Sequence, residues 1–360
     1  MPAVDQQLTF MLAGKQRSFR AVKRKGELRY IASHAKGSLK ALSCFAAPTK
    51  RVPRLYLKLM GLFDFKIPGA AEAIGISESF LEQAAAALDT VPERVGMYVG
   101  EPTSRRKLVV IDTGKESSWV LKIAAGTDAD QAILNERNSL ELFSGSPDSA
   151  ASAAVVRDIF FDSISIPKIQ AVPPVCGREA LLVERIRGRQ LTPREFETFF
   201  FKNGGFKQQV SGFKREEEFP RRGAALPETV GEWIERSGVR AAGRLSPLIA
   251  ACRECGALDL RSHTGVVHGD FAPWNVIQRT PASCPLSGRL KSQTGDSRML
   301  SLIDWEFCRS SIPQIFDSAY ACWCFAELLD QQISWIDKTL WYRLVALGAL
   351  WKELREILIK

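Results

Sequence analysis

Val266-Val-His268-Gly-Asp270-Phe-Ala-Pro-Trp-Asn275-Val-Ile277 is the stretch on which the reading of this chain turns. An apolar pair leads into it and another closes it, and an Asn follows an Asp by five positions. Downstream, Leu300-Ser-Leu-Ile-Asp304-Trp-Glu306 has the composition of a buried strand that ends in an acid. Asp270, Asn275 and Asp304 thus fall at the edges of strand-like runs, where they could converge. Oxygen donors of this kind suit Mg2+, which is usually shared with substrate phosphates. Phosphoryl transfer needs such a set. Asp270 would orient an acceptor hydroxyl and accept its proton, while Asn275 and Asp304 would hold Mg2+ against the phosphates of a nucleotide.

Protein kinases place an Asp and an Asn at this D-x-x-x-x-N spacing, followed by a second, metal-binding Asp. With the His-Gly ahead of Asp270 and the strand that ends in Asp304, the segment resembles the aminoglycoside phosphotransferase and choline kinase-like superfamily of small-molecule kinases. The resemblance covers roughly residues 95–330. It implies an α+β, bilobal, protein-kinase-like fold with a β-rich N-lobe and a helical C-lobe, and ATP with Mg2+ as the phosphate source. It also implies a strand Lys paired with a helix Glu. Lys122 in Val120-Leu-Lys-Ile123 fits, because alternation puts it on the face of Val120. Glu136 fits, because it lies three after Ile133 and four before Leu140, on their stripe; Glu141 lies off it. A phosphate-covering turn is expected ahead of the Lys strand, with Gly96-Met-Tyr-Val-Gly100 as its candidate. Backbone groups of Leu181-Leu-Val183-Glu184 would face adenine, and Asp317 would brace the catalytic loop, through His268.

The chain departs from the family pattern in two places. Twenty-eight residues separate Asn275 from Asp304, which reads as an inserted loop. No activation segment with an Ala-Pro-Glu end is present, which points away from a protein substrate and toward a small-molecule or sugar hydroxyl. The Phe-x-Pro-Trp form of the motif resembles members associated with bacterial surface polysaccharides, so a role in surface-glycan metabolism is one expectation. The alternative is a catalytically silent kinase-like scaffold in a glycan-assembly system.

The whole chain fits this reading. It has 360 residues, 46% hydrophobic and 25% charged, which suits a soluble globular protein of two or three domains. The expected division is a basic N-terminal extension at 1–90, an N-lobe at 91–184 and a C-lobe at 185–360. Residues 1–60 hold 13 Lys and Arg against two acids, although the net charge of the whole chain is only +9. Such a segment could touch an anionic membrane surface, or simply pack on the body. No RRM, KH or zinc-finger signature supports a nucleic-acid partner. The best apolar run, 339–359, is broken by Arg343, Lys352, Glu353, Arg355 and Glu356, so no span is expected. Eight Cys without a framework, and only three His, point to free thiols and a cytoplasmic protein, at most at the inner face of the membrane. Cys252 and Cys255 read as two unconnected thiols. Helices are expected at 77–90 and 128–143, a hairpin over 107–123, and mostly helix from 228 onward, ending in an apolar stripe from Ile333 to Leu358.

Overall fold

The computed structural model describes residues 6–24, 26–35, 37–45, 72–114, 118–144, 164–202, 228–239, 245–279 and 300–358. The short element expected at 55–60, most of the Phe/Lys-rich stretch 192–225 and the 280–299 loop lie outside the described residues. The chain divides into two compact units, Met1–Arg137 with Pro167–Ile186, and Asn138–Ile166 with Arg187–Lys360.

The first unit is built on one eight-stranded sheet. Its strands are β1 (Gln16–Arg24), β2 (Glu27–Ala32), β3 (Glu72–Ser77), β4 (Val95–Val99), β5 (Lys107–Asp112), β6 (Trp119–Ala124), β8 (Ile169–Ala171) and β9 (Ala180–Glu184); β7 (Ile164–Ser165) belongs to the second unit. Their order is β3-β1-β2-β4-β5-β6-β9-β8, with every neighbouring pair antiparallel. The expected β5–β6 hairpin is present. Its register brings Ile31, Met97, Val110, Leu121 and Leu182 into one row across the sheet. That row packs with Phe80, Leu81 and Ala84 of the helix Glu78–Ala87 in one core. The opposite face carries Val22, Tyr30, Ala32 and Ile111 against Leu39 and Leu42, with Val120 beside them. Alternation places Lys122 on this second face.

The described residues before position 90 differ from the expected extension. β1, β2 and β3 join the sheet itself through the β2–β4 pairing of Tyr30 with Tyr98. The reason is electrostatic as well as apolar. Lys15 and Arg17 meet Glu78, Arg17 also meets Glu93, and Arg29 meets Glu101. Three of the basic residues in the first 60 positions, Lys15, Arg17 and Arg29, thus find acids between 78 and 101.

The second unit is helical but contains more strand than its sequence pattern suggests. β10 (Gly188–Gln190), β14 (Val276–Arg279), β15 (Leu300–Leu302) and β7 form one sheet. β11 (Glu228–Thr229) pairs with β12 (Arg261–Ser262), and β13 (Thr264–Val267) with β16 (Arg309–Pro313). At two to five residues, these strands are too short to show an alternation. Helix Ile315–Trp323 lies against the last helix, Lys338–Leu358, whose Leu344, Leu347, Trp351 and Leu354 are buried as their spacing predicts. Among the described residues no helix is long and apolar enough to cross a membrane.

Gly348 sets how closely those two helices approach. A Cβ there would stand 2.2 Å from the Ala319 carbonyl oxygen and 2.6 Å from Cβ of Trp323. Ala at this position would gain up to ~1 kcal/mol of helix propensity, but overpacking a backbone contact costs about 1–3 kcal/mol. Gly348→Ala is therefore expected to lower the urea midpoint; an unchanged or raised midpoint would show that the helices can move apart freely.

Candidate active site

In the second unit, β13 ends at Val267 and the chain turns through His268-Gly-Asp270 before the short 3-10 turn Pro273–Asn275 starts β14. A loop outside a ladder must find other partners for its backbone groups. Asp317, on helix Ile315–Trp323, supplies two. Its Oδ2 accepts the His268 N–H at 2.7 Å and its Oδ1 accepts the Gly269 N–H at 2.8 Å. The expected bracing is therefore made through the backbone of His268 rather than its ring. The ring is fixed separately: Nε2 lies 2.9 Å from the Ile303 carbonyl oxygen, and the imidazole packs edge-on against Trp305 at 4.8 Å. Gly269 has φ +80°, and a Cβ would come within 2.4 Å of the Phe307 carbonyl oxygen, so this position requires glycine.

Asp270 emerges from this loop held on both carboxylate oxygens. Asn275 Nδ2 donates to Asp270 Oδ2 at 2.7 Å and to its backbone carbonyl at 2.8 Å. Arg355 Nη1 donates to Oδ1 at 2.7 Å. Burial acts to raise the Asp270 pKa, but the charge and hydrogen bond of Arg355, helped by His268 and the Tyr320 hydroxyl, outweigh it and hold the carboxyl below its ordinary value. The side chain keeps 16% of its surface exposed, so an ionised carboxylate faces outward from a buried mount.

Asn275 and Asp304 are brought together by the β14–β15 pairing. Val276 stands opposite Leu302, and the Ile303 N–H donates to the Asn275 carbonyl at 2.9 Å. Asp304 follows with φ +68°. Holding a non-glycine residue in that region costs on the order of 1–3 kcal/mol, and such strain gathers at functional sites. With Nδ2 of Asn275 spent on Asp270, its Oδ1 is the end left to accept a cation. Among the described residues no group of three or more His, Cys, Asp or Glu could hold a metal by itself. An amide oxygen and one carboxylate fit Mg2+ shared with phosphates, which brings few protein ligands to the ion.

In the first unit, Lys122 Nζ lies 2.6 Å from Glu136 Oε1, and Lys107 Nζ lies 3.7 Å from Oε2. Glu136 is 1% exposed, whereas the competitor Glu141 is exposed. The stripe reading of the helix Ala129–Ser144 thus selected the buried acid. The other nucleotide positions are placed differently from expectation. Gly96 is not in a turn; it pairs with Ile111 inside β4, where a Cβ would meet Cγ2 of Thr113 at 2.4 Å. Only Gly100 opens the connection to β5, with its N–H donating to the Lys107 carbonyl at 2.9 Å. Val183 lies in β9 opposite Val120 of β6 and Ile169 of β8. The Glu184 N–H donates to the Lys168 carbonyl at 2.7 Å and the Arg185 N–H to the Ser118 carbonyl at 2.7 Å. Pairing within the unit thus takes the Glu184 N–H, one of the donors expected to face adenine.

Arg355 is the residue the sequence reading missed as part of the site, having counted it only as a charge that breaks an apolar run. Its signal was its place one turn after Trp351 on the buried stripe. Cys252 and Cys255 are both free, and burial pushes the Cys252 thiol up to about 12.

Residues 99–343 match the phosphotransferase enzyme family, and the chain belongs to it. No curated protein matches the chain. Among solved structures it is similar to a choline/ethanolamine kinase family protein from Mesorhizobium loti, with 14% identity over 77% of this chain and 87% of that one and a TM-score of 0.37. It is also similar to an ethanolamine kinase from Plasmodium vivax, with 12% identity over 72% of this chain and 69% of that one and a TM-score of 0.32.

Two outcomes follow from this geometry. Burial, opposed by the two N–H bonds, raises Asp317 to about 7 from an ordinary 3.8. The folded chain then binds this proton more tightly than the unfolded chain. The group's contribution to stability is fully present below about pH 4, is lost as pH rises toward 7, and is constant above. Asp317→Asn leaves one buried N–H without an acceptor, at a cost of about 1–3 kcal/mol. Urea unfolding of both proteins from pH 4.5 to 8 should show the variant weaker, with the difference shrinking as pH rises; a difference that grows with pH would contradict the assignment. Separately, Glu136→Gln should lower kcat/KM for ATP about 10- to 100-fold, the rate equivalent of a hydrogen bond between charged groups. Unchanged kinetics would remove the Lys122–Glu136 pair from the site.

Proposed function

We propose that the chain transfers the γ-phosphoryl group of ATP to a hydroxyl group of a small molecule or sugar. The observation that carries this is the mounting of Asp270: an ionised carboxylate, partly exposed, locked between Asn275 and Arg355. Family membership supplies the reaction class. Asp270 orients the acceptor O–H and accepts its proton as the acceptor oxygen bonds to phosphorus, the bond from phosphorus to the β–γ bridging oxygen breaks, and ADP leaves. Because the carboxylate is a weak base, its main work is orientation, and proton transfer comes late, as a loose transition state allows. Lys122, steadied by Glu136, is assigned to the α/β-phosphates. Asn275 Oδ1 and Asp304 are assigned to Mg2+, which when bound neutralises charge on the transferring phosphate.

The missing Ala-Pro-Glu segment supports a small acceptor, and the Phe271-Ala-Pro-Trp274 form supports a sugar of surface-glycan metabolism. The intact Lys122–Glu136 pair and Asp270 mounting weigh against a catalytically silent scaffold.

The test is phosphate transfer from ATP with Mg2+ to a panel of sugars, sugar nucleotides, amino alcohols and aminoglycosides. Asp270→Asn should reduce transfer by at least about 10²–10⁴-fold, the usual contribution of a positioned base. Equal transfer by the variant, or none by the native protein to any acceptor, would contradict the reading.

A further inference from the structure

Arg355 has a setting that anchoring a helix does not require. It is 8% exposed, on the last helix Lys338–Leu358. Its guanidinium carbon lies 4.1 Å from the Phe307 ring centroid and 4.3 Å from that of Tyr320, so the group fills a slot between two aromatic faces. Nη1 donates to the Gly269 carbonyl and to Asp270 Oδ1, both at 2.7 Å, and Nη2 donates to the Tyr320 hydroxyl at 3.0 Å. Burial works against its charge, but the Asp270 carboxylate more than offsets this and the guanidinium stays protonated. Nε is buried without a hydrogen-bond partner. An arginine that only tied the helix to the loop would be redundant, because Trp351 Nε1 already donates to the same Gly269 carbonyl at 3.0 Å.

The geometry matters because the last torsion of an Asp side chain is broad and nearly two-fold. Asn275 holds Oδ2 and the Tyr320 hydroxyl also reaches the carboxylate, but a neutral amide and a rotatable hydroxyl do not by themselves fix its plane. A second donor at Oδ1 fixes its plane. Building on the reading of Asp270 as the acceptor-orienting group, we infer that Arg355 is a positioning residue of the phosphotransfer site: its planar fork, clamped between Phe307 and Tyr320, sets the plane of the Asp270 carboxylate for the acceptor hydroxyl. Lys cannot replace it fully, since a single ammonium lacks the rigid fork that reaches Gly269, Asp270 and Tyr320 together.

The test compares Arg355→Met, Arg355→Lys, Arg355→Ala and Trp351→Phe with the native protein, using an acceptor found with the panel. Misplacing a reacting group by about 1 Å costs on the order of 10²-fold in rate. Arg355→Met is expected to lose that much kcat with KM for ATP nearly unchanged, and Arg355→Lys to fall between. Millimolar guanidinium chloride should restore part of the kcat of Arg355→Ala, because the aromatic slot accepts the free ion. Trp351→Phe should lose thermal stability yet keep its kcat. The inference is overturned if Arg355→Met keeps kcat, if KM for ATP alone changes, or if Trp351→Phe loses kcat in step with Arg355→Met at equal stability. A native protein inactive on every acceptor overturns the phosphotransferase reading first, and this inference with it.

Discussion

Two backbone N–H groups, those of His268 and Gly269, meet one buried carboxylate, Asp317, and the site in the second unit depends on that meeting. The loop that presents Asp270 makes a left-handed step at Gly269, so no strand ladder can satisfy it. The carbonyl of Gly269 is taken from the other side by Trp351 and Arg355 of the last helix. That helix reaches the loop because Gly348 lets it lie against the backbone of the Asp317 helix. A small residue two turns before Arg355, a buried acid and a glycine with positive φ thus form one connected constraint. Its product is the fixed orientation of a single carboxylate.

The same logic explains the N-terminal strands. Family similarity begins at residue 99, yet the sheet begins at Gln16. The connection from Gly100 to β5 is held from outside the matched region, by Arg29 on Glu101 and by Gln7 Nε2 donating to the Thr103 carbonyl at 3.1 Å. Within the turn, Arg106 Nε donates to the Gly100 carbonyl at 3.1 Å, and the Asp128 N–H donates to the Ser104 carbonyl at 2.7 Å. The first strands therefore widen the sheet and secure the turn that leads into β5, which is a structural use for a basic segment that composition alone leaves unexplained.

What could be read from the sequence was local. Asp270, Asn275 and Asp304 declare themselves because rare polar residues interrupt short apolar runs at a fixed spacing. Lys122 and Glu136 follow from alternation in a strand and from a stripe on a helix, and both periodicities survive into the fold. The interactions that were hidden are those between residues far apart. Arg29 finds Glu101 across 72 positions, and Arg355 finds Asp270 across 85. Neither partner marks the other in the sequence, and each charge alone resembles a solvated one. Gly96 misled for a different reason: glycine inside a strand and glycine in a turn look alike until the neighbours, here Leu42 and Thr113, are known. Glu184 misled because a strand end shows its composition but not which donors its neighbours have taken.

Nucleotide binding that needs the metal is the claim on which the chemistry rests, and titration calorimetry of ATP into the native protein, with and without Mg2+, tests it most directly when repeated with Asp304→Ala. Mg2+-dependent binding by the native protein, lost in the variant, is the expected result. Binding of equal strength in all three cases, or none with Mg2+ present, would contradict it.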